Sequence, residues 1–557
     1  MRRPASVLLA AGSAGALLAG PPRTAHVTRP RAAPVHTPAV ESETDYGGEF
    51  ISAEDLEREA FSEVEVKRVK GPTKSELRAK AWFEAALQEA EADYPARAPP
   101  VALASSEGVA ALERVVLPSK KQEPWRFTRL DDLWKCAPTR DLVEATPLTA
   151  ADIAPWLPAT DEPVAVLVDG VLDAALSKHL GFSSDKRRWV GSITDAPPEV
   201  LREMGPLHAS LPEVLKEESI PQRVSLGAGA WAGLNAACAA DAVVVWVADD
   251  EDALATADAR RPNAPDRVES ASPCERAHVV HARRQARGAL HARTVVSCGA
   301  GANAAVRESF VGFSELDRFS AITNARSTCR VGAGGALTHV LDGNEGDQAH
   351  IHHATAVCAR DAGFLSRTLS DASALSRVCV DCDVAGAGAF FDFSGVQLGA
   401  ADQNLDLRTA LTHSSPDGDS KQAIRNVAAE KSRITFKGRI DVPQLGQRTN
   451  ADQLCRSLVL DDGAAVDAMP SLEIVADDVK CTHGATVADL DEESIFYLES
   501  RGLSRGDARA LLIKAFCFEL VQLTDDMLPR GTLDRLDAKL LMFEERQKSR
   551  VARYSSI

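Results

Sequence analysis

From about residue 225 to residue 480 the chain is a succession of short apolar runs broken by Gly, Asp, Asn and Ser: AVVVWVADD, ARTVVSCGAGANA, RSTCRVGAGGALTHVLDG, VCVDCDVAGAGAFFDFSGVQLGA and RITFKGRIDV. Runs of this length, rich in β-branched residues and bounded by glycine, read as strands, and helical periodicity is weak across most of the region. So many short strands need an architecture that disposes of their edges, and a sandwich, a barrel or a parallel β-helix would each do so. Clear hairpin turns such as Asn-Gly are missing between paired runs, which favours a parallel β-helix of stacked coils. No strict repeat period accompanies the pattern.

The flanks differ in texture. Thr73 and Glu76 form a capping box ahead of the helix former ELRAKAWFEAALQEAEA, which Tyr94 and Pro95 end. Further on, EPWRFTRLDDLW sets Trp125, Phe127 and Leu130 among charges, an aromatic anchor with Pro124 interrupting any helix. After residue 488 the chain is helical again. Asp491 is an N-cap followed by Glu492 and Glu493, and Gly502 supplies a C-terminal stop. Ser504 and Asp507 open a second helix, ARALLIKAFCFELVQL, with Leu511, Ala515 and Phe518 on one stripe and Leu512 and Phe516 beside it. Such a face packs on its own domain or docks another protein.

A chain of 557 residues exceeds one ordinary core, so two or three domains or one long repetitive architecture is expected. The first forty residues hold five arginines, no acid and no lysine, and the composition changes at ESETDYGGEF. Residues 1–40 therefore read as a targeting leader in two parts, a short apolar core and then an Arg/Thr/Pro-rich transit segment. A net charge of −17 without basic runs in the body argues against nucleic acid, and no stretch is apolar enough to span a bilayer, so no membrane partner is expected. Eleven scattered cysteines suit a reducing compartment.

The chemistry-bearing motifs are sparse. GAGAWAG at 227–233 has the wrong spacing for a dinucleotide loop, and no G-x-x-x-x-G-K-[ST] stretch exists, so no nucleotide is expected on this chain. CVDC at 379–382 has a zinc-like gap, but in a strand i and i+3 face opposite sides. In HIHH at 350–353, His350 and His352 share a strand face, with no third ligand evident nearby. Asp381, Asp383 and Asp392 are the nearest approach to the clustered carboxylates of a β-helix enzyme acting on polysaccharide, and they read as turn residues. No nucleophile elbow and no H-E-x-x-H appears, so composition and spacing do not support a self-contained enzyme. In DDVKCTHGAT at 477–486, Cys481 and His483 stand one residue apart and point to the same face of an extended segment, sulfur beside imidazole.

The run DDVKCTHGATVADLDEESIFYLESRGL resembles the SufD family, scaffold subunits of the SUF machinery for iron-sulfur cluster assembly. Supporting stretches are EPWRFTRLDDLW (123–134), RESFVGF (307–313), FKGRIDV (436–442), GQRTNADQ (446–453) and PSLEIVADDVKCTHGAT (470–486). A SufB-like scaffold would predict more core cysteines and a different run at 480–486. Two departures stand out: 250–295 is polar and loop-like and matches no family segment, and Gly446 replaces the usual alanine.

The resemblance implies a mainly β protein, with a right-handed parallel β-helix core flanked by N-terminal and C-terminal α-helical domains. The expected organisation is a leader over 1–40, a linker over 41–70, a helical domain over 71–220, the β-helix over 221–488 and a helical domain over 489–557. It further implies a non-catalytic scaffold that pairs with a SufB-type subunit, docks the ATPase SufC and passes clusters to apo iron-sulfur proteins or carriers. His483, with Cys481 beside it, would be the cluster-assembly interface, a transient metal site shared with the partner. Phe496, Tyr497, Arg501, Gly502, Leu511 and Phe516 would dock the ATPase. The cluster is transient cargo at the subunit interface, a flavin in the assembled complex is left open, and the chloroplast stroma is the expected compartment.

Overall fold

The computed structural model describes residues 72–93, 98–139, 147–209, 227–251, 274–284, 287–313, 317–521 and 527–554. The leader and linker expected over 1–70 lie outside the described residues.

Two helices come first, α1 (Lys74–Asp93) and α2 (Pro99–Leu112). The capping box forms as expected: the Thr73 N–H donates to Glu76 Oε2 (2.7 Å) and the Glu76 N–H to Thr73 Oγ1 (3.2 Å). The backbone hydrogen bond from Thr73, against a smaller effect of burial, holds the Glu76 carboxyl down to about 2. Strands β1 (Val164–Val168), β2 (Val171–Leu172), β3 (Gly181–Phe182) and β4 (Arg188–Ser192) follow, then α3 (Pro198–Ala209), α4 (Gly229–Cys238) and β5 (Val243–Val247).

The next fifteen strands are consecutive. They are β6 (Glu275–Arg283), β7 (Gly288–Cys298), β8 (Asn303–Gly312), β9 (Ala321–Val331), β10 (Ala336–Asn344), β11 (Ala349–Cys358), β12 (Gly363–Ser370) and β13 (Leu375–Val384). After them come β14 (Phe390–Gly399), β15 (Asn404–Thr412), β16 (Asp419–Ala428), β17 (Arg433–Val442), β18 (Asn450–Val459), β19 (Ala465–Ile474) and β20 (Lys480–Ala488). Helices α5 (Glu492–Ser500), α6 (Arg505–Val521) and α7 (Arg530–Tyr554) close the described chain.

From β6 onward, strands alternate between two ten-stranded sheets. The first sheet runs β2-β1-β6-β8-β10-β12-β14-β16-β18-β20 and the second β19-β17-β15-β13-β11-β9-β7-β5-β4-β3. Every pairing from β6 to β20 is parallel, as in Phe390 opposite Asp419 and Asp419 opposite Asn450. This is the expected parallel β-helix, a solenoid whose two faces are the two sheets. Successive coils differ in length: Asn303 stands opposite Ala336 and Ala336 opposite Gly363, steps of 33 and 27 residues. The corner from the second sheet to the first carries a left-handed residue in six successive coils, Gly301, Gly334, Asp361, Gly388, Asp417 and Arg448, and none in the last, between β19 and β20. That conformation favours Gly and tolerates Asp, which accounts for the Gly/Asp breaks of the sequence.

Two sequence expectations need correction. Residues 164–192, inside the stretch assigned to a helical domain, supply β1 to β4 and begin both sheets, β1 lying parallel to β6 and β4 antiparallel to β5. Within the loop-like stretch 250–295, residues 275–283 and 288–295 belong to β6 and β7, and all of β7 is buried. Their polar residues are interior or covered, so these strands lack an apolar signature.

The solenoid interior is apolar for most of its length, with Phe364 stacked on Phe391 at 5.9 Å between ring centres. The N-terminal helices cover the outer face of the second sheet. Trp82, Phe83, Trp134 and Trp231 pack together, Trp134 stacking on Trp231. The glycine-rich 227–233 opens α4, and its role is close packing: a Cβ on Gly227 (φ +77°) would collide with Trp125 and Pro124, and one on Gly233 would press on Leu112 of α2. Trp125 is the expected anchor, buried with the Arg377 guanidinium 3.8 Å from its ring centre. Trp125→Ala should lower stability to urea by about 3–5 kcal/mol, the ordinary cost of deleting a buried indole.

Candidate functional site at the open end of the solenoid

The C-terminal helices cover the outer face of the first sheet and leave the end of the solenoid uncapped by a further coil. Leu398, Val427, Leu458 and Leu460 of the sheet pack against Ile495, Ile513, Cys517 and Phe543 of the helices. Arg535 of α7 is held by Asp342 (2.5 Å) and Asp371 (2.9 Å), both fully buried carboxylates. At the open end, β19 and β20 are the edge strands of their sheets. Ile474 and Val475 are exposed there, as is Val487.

β20 carries Cys481 and His483. Its register on β18 sets Cys481 opposite Ala451 and His483 opposite Gln453. Ala451 belongs to the solenoid core and Cys481 packs against that core, so position 481 faces inward. His483 shares this face by the two-residue alternation of a strand, as the sequence predicts. Thr482 faces out, its hydroxyl donating to Asp452 (2.6 Å). Cys481 is half-buried and His483 exposed. Burial pushes the Cys481 thiol up, opposed by the backbone hydrogen bond from Ala451, so the thiol holds its proton until a cation or base takes it.

The register brings in a residue that sequence reasoning missed. Gln453, fully buried, lies one coil beneath His483, and among the described residues neither its Oε1 nor its Nε2 has a hydrogen-bond partner. A free amide there can accept from or donate to an imidazole or its ligand. Only the 30-residue step between the strands reveals this neighbour.

Of the residues expected to dock an ATPase, Phe496 and Tyr497 sit on α5, Leu511 and Phe516 on α6, and Arg501 and Gly502 between the two helices. Asp491 caps α5, accepting from the Ser494 N–H (2.9 Å), and Gly502 ends it with φ +96°. Ser504 and Asp507 form the second box, the Asp507 N–H donating to Ser504 Oγ at 3.2 Å. Phe496 and Tyr497 are 73% and 56% exposed, and the Arg501 guanidinium lies 5.0 Å from the Tyr497 ring centre. Leu511 is 47% exposed, whereas Phe516 is half-buried against the sheet with Arg425 over its ring. Phe496, Tyr497 and Leu511 therefore form the exposed apolar set, with Phe516 turned toward its own domain.

The other motifs fall elsewhere. Cys379 faces out and Cys382 in, as i and i+3 must. His350 and His352 do share a face, and it is the interior: His350 bonds Glu345 (2.7 Å) and His352 bonds Ser327 (2.8 Å). They border an interior polar layer centred on Glu308, which hydrogen-bonds with His281 (3.2 Å) and His339 (2.7 Å). Burial works to raise the Glu308 pKa, but the hydrogen bonds from His281 and His339 outweigh it and hold the carboxyl well below its usual range. Among the described residues no three His, Cys, Asp or Glu side chains converge to hold a metal. Asp381 and Asp383 lie on β13 of the second sheet and Asp392 on β14 of the first, so the carboxylates of the polysaccharide alternative do not gather on one sheet. Among the described residues no helix is long and apolar enough to cross a membrane.

Residues 280–516 match the family model described as SUF system FeS cluster assembly, SufBD core domain. The chain is 33% identical over 252 residues to the iron-sulfur cluster assembly protein SufD of Escherichia coli, an alignment covering 45% of this chain and 59% of that protein. It is 41% identical over 122 residues to the chloroplastic protein ABCI7 of Arabidopsis thaliana, covering 22% of this chain and 26% of the relative. With the iron-sulfur cluster assembly protein SufB of Bacillus subtilis it shares 25% identity over 135 residues, 24% of this chain and 29% of that protein. The chain thus spans less than two thirds of the length of the curated relatives it matches.

Proposed function

We propose that this chain, whose residues 280–516 match the SufBD core model and which is similar to SufD-type proteins, is a non-catalytic scaffold subunit for iron-sulfur cluster assembly. The observation that carries the reading is the placement of Cys481 and His483 on the inward face of the last, unpaired-edge strand of the solenoid. Two ligands cannot close a four-ligand cluster site, so a partner's end supplies the rest. The partner is a SufB-type subunit whose own solenoid end meets β19 and β20. The cluster is cargo: His483, a neutral and exchangeable ligand, releases it, and Cys481 assists as second ligand or relay. Gln453 orients the imidazole from beneath.

ATP hydrolysis belongs to a SufC-type ATPase docked on α5 and α6, where Phe496, Tyr497 and Leu511 are exposed. The kinship with a chloroplastic relative supports residence in a plastid. Apo iron-sulfur proteins or carriers receive the product.

The reading is tested by co-expressing the mature chain with the SufB-type and SufC-type subunits of its compartment and following size exclusion. Co-elution of all three supports it, and a chain that elutes alone contradicts it. Tyr497→Ala combined with Leu511→Asp should release the ATPase alone, weakening its capture by about thirtyfold or more, the effect of losing a central aromatic anchor. Unchanged capture would remove α5 and α6 from the account.

A further inference from the structure

Most buried arginines of the solenoid have a carboxylate. Arg283 is paired with Glu345 (3.6 Å) and Arg307 with Asp342 (3.3 Å), while Arg377 and Arg408 share Asp406. Arg293 of β7 and Arg326 of β9 are exceptions. They stand directly opposite each other on the outer face of the second sheet, and Arg326 stands opposite His353 of β11. Adjacent strands are about 4.8 Å apart, so this is a ladder of like-charged or chargeable groups on three neighbouring strands.

All three are buried, each 4% exposed or less. Among the described residues, Arg326 Nε and Nη1, Arg293 Nε and Nη1, and both ring nitrogens of His353 have no hydrogen-bond partner. Arg293 Nη2 donates to the carbonyl of His208 at the C-terminal end of α3, where the helix dipole offsets part of one charge. Among the described residues Arg326 has no comparable compensation. Two further groups point the same way: His208 is buried with both ring nitrogens unpartnered among the described residues, and so is the buried Thr328 hydroxyl, two residues along the same face from Arg326. Burial pushes Arg326 down to about 10, so it keeps its charge at neutral pH, while burial, followed by the charges of Arg326 and Arg377, pushes His353 down to about 3.

A buried guanidinium without a counter-charge is among the costlier features a fold can carry, and removing a partner from such a charge destabilises strongly. From these side chains we infer a buried anion site between the outer face of β7, β9 and β11 and the end of α3, which takes a compact tetrahedral oxyanion of the phosphate class. A carboxylate would be served by one guanidinium fork. Here two forks, a hydroxyl and two imidazoles offer donors from several directions, which suits four oxygens. The site lies on the second sheet under the N-terminal helices, separate from the open end at Cys481 and His483, and it stands or falls independently of the scaffold reading.

The test uses the full chain. Purified protein is denatured, and the released anions are read by ion chromatography and mass spectrometry; inorganic phosphate or a phosphorylated small molecule in about equimolar amount supports the site and identifies its source. In parallel, thermal unfolding of anion-stripped protein is followed with inorganic phosphate, sulfate and chloride at equal ionic strength. Phosphate should raise Tm saturably. Arg326→Met should abolish that response without lowering Tm in phosphate-free buffer, because it removes an uncompensated charge, and Arg326→Lys should need about tenfold more phosphate because it keeps the charge and loses the fork. Should Arg326→Met not fold, Arg326→Lys and the anion content of the wild type decide. No released anion together with a Tm indifferent to phosphate overturns the inference, as does an undiminished response in Arg326→Met or Arg326→Lys.

Discussion

His483→Ala should leave the assembly with SufB-type and SufC-type partners intact while its bound iron and sulfide fall by about tenfold or more. The side chain is exposed at the open end of the solenoid and is not part of the core beneath it, so its removal costs the fold little. On the proposed reading one of the few ligands the chain contributes is lost, and loss of a metal ligand or its orienting partner commonly costs 10–100-fold in affinity. Cys481→Ser should be milder for the cluster, because a protonated, half-buried thiol is the poorer first ligand, and harsher for stability, because Cys481 packs on the core. Gln453→Leu should lie between them, with the complex intact and cluster yield reduced. Iron and sulfide analysis of each co-purified complex reads all three. Wild-type yield in His483→Ala would remove the imidazole from the site.

The second large effect is acid lability. Burial, the largest cause in each case, lowers the pKa of His208 and His352 well below 6.5, that of His353 to about 3 and that of His413 to about 4. The unfolded chain protonates these rings near pH 6.5 while the folded chain keeps them neutral. Below that pH the unfolded state therefore binds more protons, so the contribution is fully present above pH 6.5 and is lost as pH falls toward the folded values. At pH 5 His353 and His413 should each withdraw roughly 2 kcal/mol, about 1.5 pH units at 1.36 kcal/mol each. Together that is a large part of a typical folding stability of about 5–15 kcal/mol. Urea titrations in phosphate-free buffer at pH 7.5 and 5 should show the drop. His413→Gln, which can keep a bond to Ser420 as His413 does now (3.0 Å), should remove about half of the part due to these two rings. A flat profile between pH 7.5 and 5 would mean that water reaches the histidines.

How much of this was legible in the sequence follows from where the residues point. The core strands were readable because Val, Ile, Leu and Phe alternate inward between left-handed corners at Gly and Asp. The repeat was not, since coils step by 26 to 33 residues and the corner residue varies from Gly334 to Arg448. β6 and β7 escaped because His278, His281, His291 and Arg293 are buried polar residues, satisfied or stranded by neighbours a coil away. β1 to β4 escaped because they are short and sit between helices. Capping boxes at Thr73 and Ser504 were readable from four residues each, being local. Cys481 and His483 came from resemblance and their shared face from strand alternation, whereas Gln453 and the Arg293–Arg326–His353 ladder depend on register between coils, which no local pattern carries.

The most direct test of the central claim, that this chain contributes half of a cluster site, is pulsed EPR of the anaerobically co-purified and reduced complex, with His483→Ala beside it. The account predicts a nitrogen hyperfine coupling from a histidine ligand in the wild type that disappears in the variant. A cluster whose nitrogen coupling is unchanged by the substitution, or one coordinated by sulfur alone in the wild type, would contradict it.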